Sequence, residues 1–542
     1  MPELKFEYRK KISFLLSIFF FIFVIIVIRL FWLQIVQYRF FQERSLDQRT
    51  RIINLASNRG DIFDRNGRVL ATSIDTYSVF TQRPRFAWLA RKLPLAEAEK
   101  IKGQAPKQIF LLKEKKRFYP KGHLAAQLIG FVGADNQGLA GVEMAWDKYL
   151  RGKEGKVVTE GDPEGRELYG ALREIEPSEN GLDVTLTIDE NIQYIAEREI
   201  TEQIKKHNAL SGTIIVMDAK NGEILALASK PDYDPNNYGQ FDRKLWHPRY
   251  INPYEPGSTF KLITVAAGLE EGVIKPDSKL KALDKIEIGG RIIENSHKIK
   301  WDGPRVSLSK TLEMSLNTSV AQIGLKLGPE KFYGLIKKFG FGETTDFGLE
   351  GESRGILRRP ERWYKPDIGM ITFGQGVAVT PIQLISAISA FANNGKTIRP
   401  VIVKKIESSD GQFVKTFAGK YRDTAVSRQT ADEMKKLMHN VVLYGSGHRA
   451  NMDWFTVGGK TGTAQKAGPN GGYMKDHYIA SFIGMTPLSD PKLIALIIVD
   501  DPKGSIWGES VAGPVFKTVV EYSLRYLNVK PDAGIMKPNP KT

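Results

Sequence analysis

The stretch YEPGSTFKLITVAAGLEEG, residues 254–272, decides how this chain is read. Pro256-Gly257 breaks the preceding segment, and the apolar periodic run after it predicts a helix beginning near Ser258. Ser258 and Lys261 are three apart, so a helix puts them on one face with the lysine amine in reach of the serine hydroxyl. The helix N-terminus adds partial positive charge, which favours an alkoxide or an anionic acyl-transfer intermediate. The pattern S-x-x-K has little weight alone, because it recurs at Ser278, Ser307 and Ser489. Only at Ser258 does it lie between a Pro-Gly break and a helix that reads as buried.

Two further motifs follow in order. TLEMSLNTSVAQIG (311–324) contains Ser315-Leu316-Asn317, a hydroxyl and an amide two apart that suit a loop or helix end facing one cleft. S-x-N also occurs at Ser178, so it too is weak alone. Lys460-Thr461-Gly462-Thr463 follows the strand-like run FTVGG and is the only K-T-G in the chain. Its glycine lets a substrate backbone come close, and a strand of this kind can pair with a peptide while Lys460 and the hydroxyls hold a carboxylate.

Working outward, GTIIVMDA and GEILALAS read as a hairpin turned by Lys220-Asn221-Gly222, where N-G is suitable turn chemistry. DVTLTID reads as an alternating strand, with a helix from Asp189 to about His207. Strand-like runs recur late, at Phe455–Val457, Tyr478–Gly484 and Leu493–Val499, before a helical segment from Gly513 to Tyr526. Two early strands, three late ones and helices between predict one sheet built from both ends of a large α+β domain. Ahead of it, Asp64-Arg65-Asn66-Gly67 signals a tight turn, and Ala87 to Gln108 and Leu139 to Leu150 read as helical. The tail from Lys530 has the composition of a disordered end.

Ile12 to Ile28 carries no charge, and apolar character continues past Arg29 to Val36. About 20 apolar residues cross a bilayer as a helix, so residues 12–36 suffice if Arg29 snorkels to the interface beside Trp32. No A-x-A site follows the run, which predicts an uncleaved single-pass anchor. The flanks tie under the positive-inside count: Lys5, Arg9, Lys10 and Lys11 before, Arg39, Arg44, Arg49 and Arg51 after. The expected organisation is a cytoplasmic tail (1–11), the anchor (12–36), an elongated β-rich pedestal (37–175), a catalytic domain (176–528) and a tail (529–542).

Composition narrows the chemistry. The 542 residues contain no cysteine, which removes thiol nucleophiles, disulfides and cysteine-held metals. The 7 histidines form no H-E-x-x-H pair, so no metal or cofactor is expected. Net charge is +17, which an anionic membrane face explains without nucleic acid.

S-x-x-K, S-x-N and K-T-G in this order form the constellation of penicillin-binding proteins and serine β-lactamases. RGDIFDRNGRVLA, RFYPKGHLAAQLIGFVG, GLAGVEMAWDKYLRGKEG, TIDENIQYIAERE, NGEILALASKPDYDPN, FGQGVAVTPIQL and VAGPVFK extend the likeness from Arg59 to Lys517. In these segments the chain resembles the class B penicillin-binding proteins, which are peptidoglycan D,D-transpeptidases. The resemblance implies a serine β-lactamase-like penicillin-binding domain behind a pedestal that serves dimerisation or partner docking. It implies Ser258 as nucleophile on D-Ala-D-Ala stem peptides of nascent glycan strands and Lys261 as general base. A neutral Lys261 requires its pKa to fall by ~3 units, through burial and the nearby Lys460 charge. Ser315 would relay protons to the leaving D-Ala, and Asn317 would hold the lysine and the substrate amide. Lys460, Thr461 and Thr463 would fix the carboxylate beside Gly462, with the N–H groups of Ser258 and Thr463 as oxyanion hole.

The resemblance further implies inhibition by β-lactams and an extracytoplasmic catalytic body on the bacterial inner membrane. Its partners would be a membrane glycosyltransferase of the shape, elongation, division and sporulation (SEDS) group and other division proteins. The compact length and the K-T-G-T-A-Q-K context lean towards the division type, with an elongation-type enzyme as the alternative. A β-lactamase would need a water-activating glutamate, and no E-x-x-x-N lies between Asn317 and Lys460. A D,D-carboxypeptidase typically lacks RGDIFDRNG, and a non-catalytic β-lactam sensor or scaffold has no need of three intact motifs.

Overall fold

The computed structural model describes residues 2–55, 57–81, 86–106, 108–161, 168–169, 173–468 and 471–533. A helix over Pro2–Phe31 runs into a π-helical turn, Trp32–Val36, and a second helix covers Tyr38–Arg49. Within Glu7–Val36 an 18-residue window has a mean hydropathy of 3.0 and none of it is buried in the protein, so the helix is long and apolar enough to cross a membrane. The chain forms two compact units, residues 1–57 with 153–179 and residues 58–152 with 180–542. The first carries an antiparallel sheet of Thr50–Leu55, Gly155–Glu160 and Glu174–Glu176, with Gly155–Glu160 central.

The second unit is organised around a five-stranded antiparallel sheet in the order Ile224–Lys230, Ser211–Asp218, Leu493–Asp500, Tyr473–Thr486, Gly458–Ala467. Two early strands and three late ones thus share one sheet, joined where Ile215 pairs with Leu496. Every residue of Ser211–Asp218 is buried because helices cover both faces. On one side Ile214 and Val216 pack with Ile192 and Val515, from the helices Glu190–Lys206 and Gly513–Tyr526. On the other, Ile215 and Met217 join the core holding Leu262, Ile385 and Met434, from Lys261–Glu270, Pro381–Ala392 and Arg428–Tyr444. The period-2 alternation of a strand therefore separates two cores.

A second sheet takes in the RGDIFDRNG segment: Ile62–Phe63 lies between Val69–Thr81 and Asp183–Leu186. The D-R-N-G turn is as expected, with Asp64 Oδ1 accepting from the N–H groups of Asn66 (2.8 Å) and Arg68 (2.9 Å), and Gly67 at φ +81°. Arg59 ties the charges of this stretch to those of GVEMAWD. Its guanidinium donates to Glu143 Oε2 (2.7 Å) and Asp147 Oδ1 (2.6 Å), while Arg117 donates to Glu143 Oε1 (2.6 Å). Glu143 is 0 % exposed and is flanked by both guanidiniums.

Three expectations need correction. Residues 87–108 are not one helix: Ala87–Leu93 is a strand and Leu95–Gln104 a helix, divided at Pro94. Pairing with Val69–Thr81, from Thr81 opposite Ala87 to Tyr77 opposite Leu93, overrides helix propensity in the first half. Phe455–Val457 is not a strand; the strand begins at Gly458, and Thr456 instead donates its N–H to Asp532 Oδ1 (2.7 Å). The same bond, with a second to Asp532 from the Ser489 hydroxyl (2.9 Å), docks the start of the tail that composition reads as disordered. The remainder of that tail, residues 534–542, lies outside the described residues.

Candidate active site

Ser258 lies in the 3₁₀ turn Gly257–Phe260, which leads directly into the helix Lys261–Glu270. Gly257 has φ +55°, and a Cβ there would meet the Ala464 Cβ at 2.9 Å, so only glycine lets the turn press against the K-T-G strand. Phe260, Leu262 and Ile263 are fully buried and anchor the helix, whereas Ser258 is half-buried and opens into a cleft of about 780 Å³. Ser315, Asn317, Thr461 and Thr463 line the same cleft. The three motifs therefore converge although more than 200 residues separate Ser258 from Thr463.

The other S-x-x-K serines have structural work. Ser278 accepts from Lys275 N (2.8 Å), Ser307 caps the helix Leu308–Glu313 through Lys310 N (3.1 Å), and Ser489 binds Asp532. In the stray S-x-N, Asn180 accepts from Asn58 N.

Lys261 and Lys460 are both 0 % exposed beneath the cleft floor. Lys261 Nζ donates to the Ser315 carbonyl (2.6 Å) and hydroxyl (3.1 Å), so its hydrogen bonds run to Ser315 rather than to Ser258. Burial drives the Lys261 pKa well below 10.5, and the Lys460 charge pushes it further in the same direction. Burial also pushes Lys460 down, to about 7. Among the described residues no carboxylate pairs with either amine, so the neutral form is favoured and Lys261 is equipped to accept a proton.

Ser315 is held at φ +56°, a region that non-glycine residues rarely occupy. Its neighbour Leu316 is fully buried and fixes this conformation, which directs the Ser315 carbonyl at Lys261. Asn317 begins the helix Asn317–Leu327, but its Nδ2 donates to Glu294 O (2.8 Å) on the hairpin Lys285–Ile288/Arg291–Glu294. It makes no hydrogen bond to Lys261 among the described residues. The hairpin had no motif to announce it, and Arg291, Glu294 and His297 line the cleft from that side.

The K-T-G motif lies within the edge strand Gly458–Ala467, not after it. A Cβ on Gly462 would come within 2.3 Å of Ser481 Oγ and 3.0 Å of Thr259 Cγ2, which is why this position is glycine. Lys460 Nζ donates to Thr461 Oγ1 (3.1 Å) and Ser446 Oγ (3.4 Å), and the two hydroxyls are 2.9 Å apart. Ser446 escapes a motif search. Its signal is the pair of flanking glycines, since a Cβ on Gly445 would meet Glu313 Cα at 2.6 Å. Trp507-Gly508-Glu509 completes the wall, with Gly508 N donating to Thr463 Oγ1 (3.3 Å). A half-buried hydroxyl, an amine whose pKa burial lowers, a second hydroxyl bonded to that amine and a hydroxyl-lined strand edge are the kinds of group that acyl transfer uses.

Comparison with known proteins agrees with this geometry. Residues 212–521 match the penicillin binding protein transpeptidase domain, and residues 83–186 match the penicillin-binding protein dimerisation domain. The chain is 34 % identical to stage V sporulation protein D of Bacillus subtilis, covering 96 % of this chain and 86 % of that protein. It is 30 % identical to the peptidoglycan D,D-transpeptidase FtsI of Escherichia coli, covering 93 % and 90 %. Among solved structures, penicillin binding protein 3 of Mycobacterium tuberculosis in complex with aztreonam is similar at a TM-score of 0.73 and 26 % identity. That match covers 88 % of this chain and 98 % of the other.

Proposed function

The chain belongs to the class B penicillin-binding proteins, the peptidoglycan D,D-transpeptidases, and from that premise we propose that it cross-links stem peptides through an acyl-enzyme on Ser258. Lys261, neutral in its buried site, takes the Ser258 proton as the hydroxyl attacks the D-Ala-D-Ala carbonyl. Ser315 passes a proton to the leaving D-Ala, and the Lys261–Ser315 hydrogen bond supports that relay. Lys460, Thr461 and Thr463 hold the terminal carboxylate, Gly462 admits the peptide backbone, and the N–H groups of Ser258 and Thr463 face the oxyanion. Asn317, with its Nδ2 committed to Glu294 O, orients the substrate amide through its oxygen. An amine from a neighbouring stem then displaces Ser258 in a ping-pong transfer.

The observation that carries this reading is the uncompensated pair of buried lysines under a cleft that Ser258 and Ser315 share. Labelling with fluorescent penicillin tests it. Wild type should label at Ser258 and Ser258→Ala should not; labelling that survives the substitution sinks the assignment.

The biological setting we propose is septal wall synthesis, with residues 12–36 as a single-pass anchor, residues 1–11 cytoplasmic and the body outside. Its support is the named relative FtsI and the one apolar N-terminal helix. Residues 37–175 would act as pedestal and docking region for a SEDS-type glycosyltransferase, ahead of a transpeptidase domain at 176–528. Depletion should produce filaments; rounded cells would favour the elongation type. Coexpression with the pedestal deleted should abolish capture of the glycosyltransferase, and retained capture would refute the docking role.

A further inference from the structure

The residues just ahead of Ser258 run against the FGQG loop, residues 373–376, in a short ladder. Tyr254 and Val379 exchange two N–H to carbonyl bonds of 2.9 Å, and Gly257 N–H donates to Gly374 O (3.3 Å). Between these rungs Pro256 has no N–H to offer. The Glu255 side chain supplies the missing rung, its Oε1 accepting from Gly376 N–H at 2.8 Å. Its other oxygen, Oε2, is buried. Burial pushes the carboxyl up, and the Gly376 N–H and the Tyr473 phenol act against that shift; no cation does so among the described residues. A carboxyl buried without a cation costs stability, so its value here lies in what its oxygen holds.

The loop that Glu255 holds touches the nucleophile's own turn. A Cβ on Gly374 would lie 2.3 Å from Gly257 O, so no side chain separates the two backbones. Gly257 also meets the K-T-G strand, where its own Cβ would come within 2.9 Å of Ala464 Cβ and 3.2 Å of Thr463 O. Gly257 is therefore packed against the loop and the strand together. Ser258 follows it directly, and Ser258 and Thr463 carry the two N–H groups that face the oxyanion in the proposed mechanism. Such donors act only when both reach the developing charge, at about 2.7–3.1 Å. The seating of the turn on the strand sets that spacing.

We propose that Glu255 is a positioning residue for acylation: by holding Gly376 it fixes the loop that seats the Ser258 turn on the K-T-G strand, and so the spacing of the oxyanion donors. The proposal rests on the transpeptidase reading. Glu255 exchanges no proton and touches no substrate. Its task is to accept one hydrogen bond at the right reach.

The test uses the full-length protein and separates reach from charge. Glu255→Gln keeps the acceptor at the same reach without the charge, and Glu255→Asp keeps the charge but draws the acceptor back by one methylene. The donors are an N-benzoyl-D-alanyl ester and its thionoester, in which sulfur replaces the oxygen that the two N–H groups must hold. Glu255→Gln should acylate within about two-fold of wild type at saturation. Glu255→Asp should lose roughly ten- to hundred-fold in that rate, the scale of a ~1 Å misplacement, with the donor's dissociation constant within about two-fold. Its ester-to-thionoester rate ratio should fall as well, which destabilisation alone would not cause. Glu255→Ala, which removes the acceptor outright, should follow Glu255→Asp. Tyr473→Phe leaves the Gly376 bond in place and should keep the wild-type rate. Glu255→Asp and Glu255→Ala as fast as wild type, Glu255→Gln as slow as they are, an unchanged ratio, or a loss confined to the dissociation constant overturns the proposal. A loss in Tyr473→Phe equal to that in Glu255→Ala moves the role to the phenol and also overturns it. Failure of wild type to form any acyl-enzyme is a separate outcome that refutes the transpeptidase reading.

Discussion

Two of the places where the second compact unit buries charge follow opposite principles. Around Glu143, two guanidiniums and a carboxylate meet at 2.6–2.7 Å, with Asp147 completing the balance on Arg59. Under the cleft, Lys261 and Lys460 are equally buried but face hydroxyls and carbonyls instead of carboxylates. Compensated charge joins Arg59 and Arg117 to the segment around Glu143. Burial shifts both amines towards neutrality, at Lys261 with the Lys460 charge adding to it, and costs stability. The first arrangement holds chain segments together, and the second lowers the proton affinity of both amines.

Lys261→Met breaks the comparison most sharply. Acylation should fall by about 10³-fold or more as the general base is lost, while the thermal midpoint at pH 7 should not fall. An acylation rate near wild type would remove Lys261 from the chemistry. At the compensated cluster the signs reverse. Glu143→Ala strands two buried guanidiniums and should lower unfolding free energy by about 3–5 kcal/mol, with the folded fraction still acylating. Denaturant unfolding measures the loss, and an unchanged midpoint would mean the cluster is not structural.

Lys460 sharpens the contrast through pH. Its amine titrates at about 7 in the folded chain against 10.5 for an ordinary lysine, so between these values the unfolded state binds more protons. Stability from this group therefore rises with pH across that window and the penalty is fully present below it. Lys460→Met should gain up to about 4 kcal/mol at pH 7 and nothing above pH 10.5. Parallel stability curves for the two proteins would contradict the assignment. The smallest effect expected is at Ser446→Ala, where the hydroxyl bonded to both Lys460 (3.4 Å, weakly) and Thr461 (2.9 Å) is removed. It should slow acylation by about five- to ten-fold, the scale of a single hydrogen bond, and a stopped-flow measurement with no change would exclude Ser446 from the site.

Much of this was legible in residues. The hairpin at Lys220-Asn221-Gly222, the late strands and the helix after Ser258 follow from turn chemistry and periodicity, and the three motifs meet as their order suggested. Ala87–Leu93 was not legible, because its strand form comes from pairing with Val69–Thr81 and not from its own pattern. The anchoring of Asn317 to Glu294 depends on a hairpin with no motif. Ser446 and Glu509 reach the cleft only because glycines beside them let backbone approach Glu313 and Gly462. Such packing is set by tertiary structure, and local sequence carries little trace of it.

The central claim is that burial and Lys460 together make Lys261 a neutral base. The pH dependence of penicillin acylation, measured as a rate from pH 5 to 10 in wild type and Lys460→Met, tests it most directly. The acid limb of wild type should lie far below 10.5, and in Lys460→Met it should move to higher pH as the repelling charge is removed. Superimposable profiles, or a wild-type limb near 10.5, would contradict it.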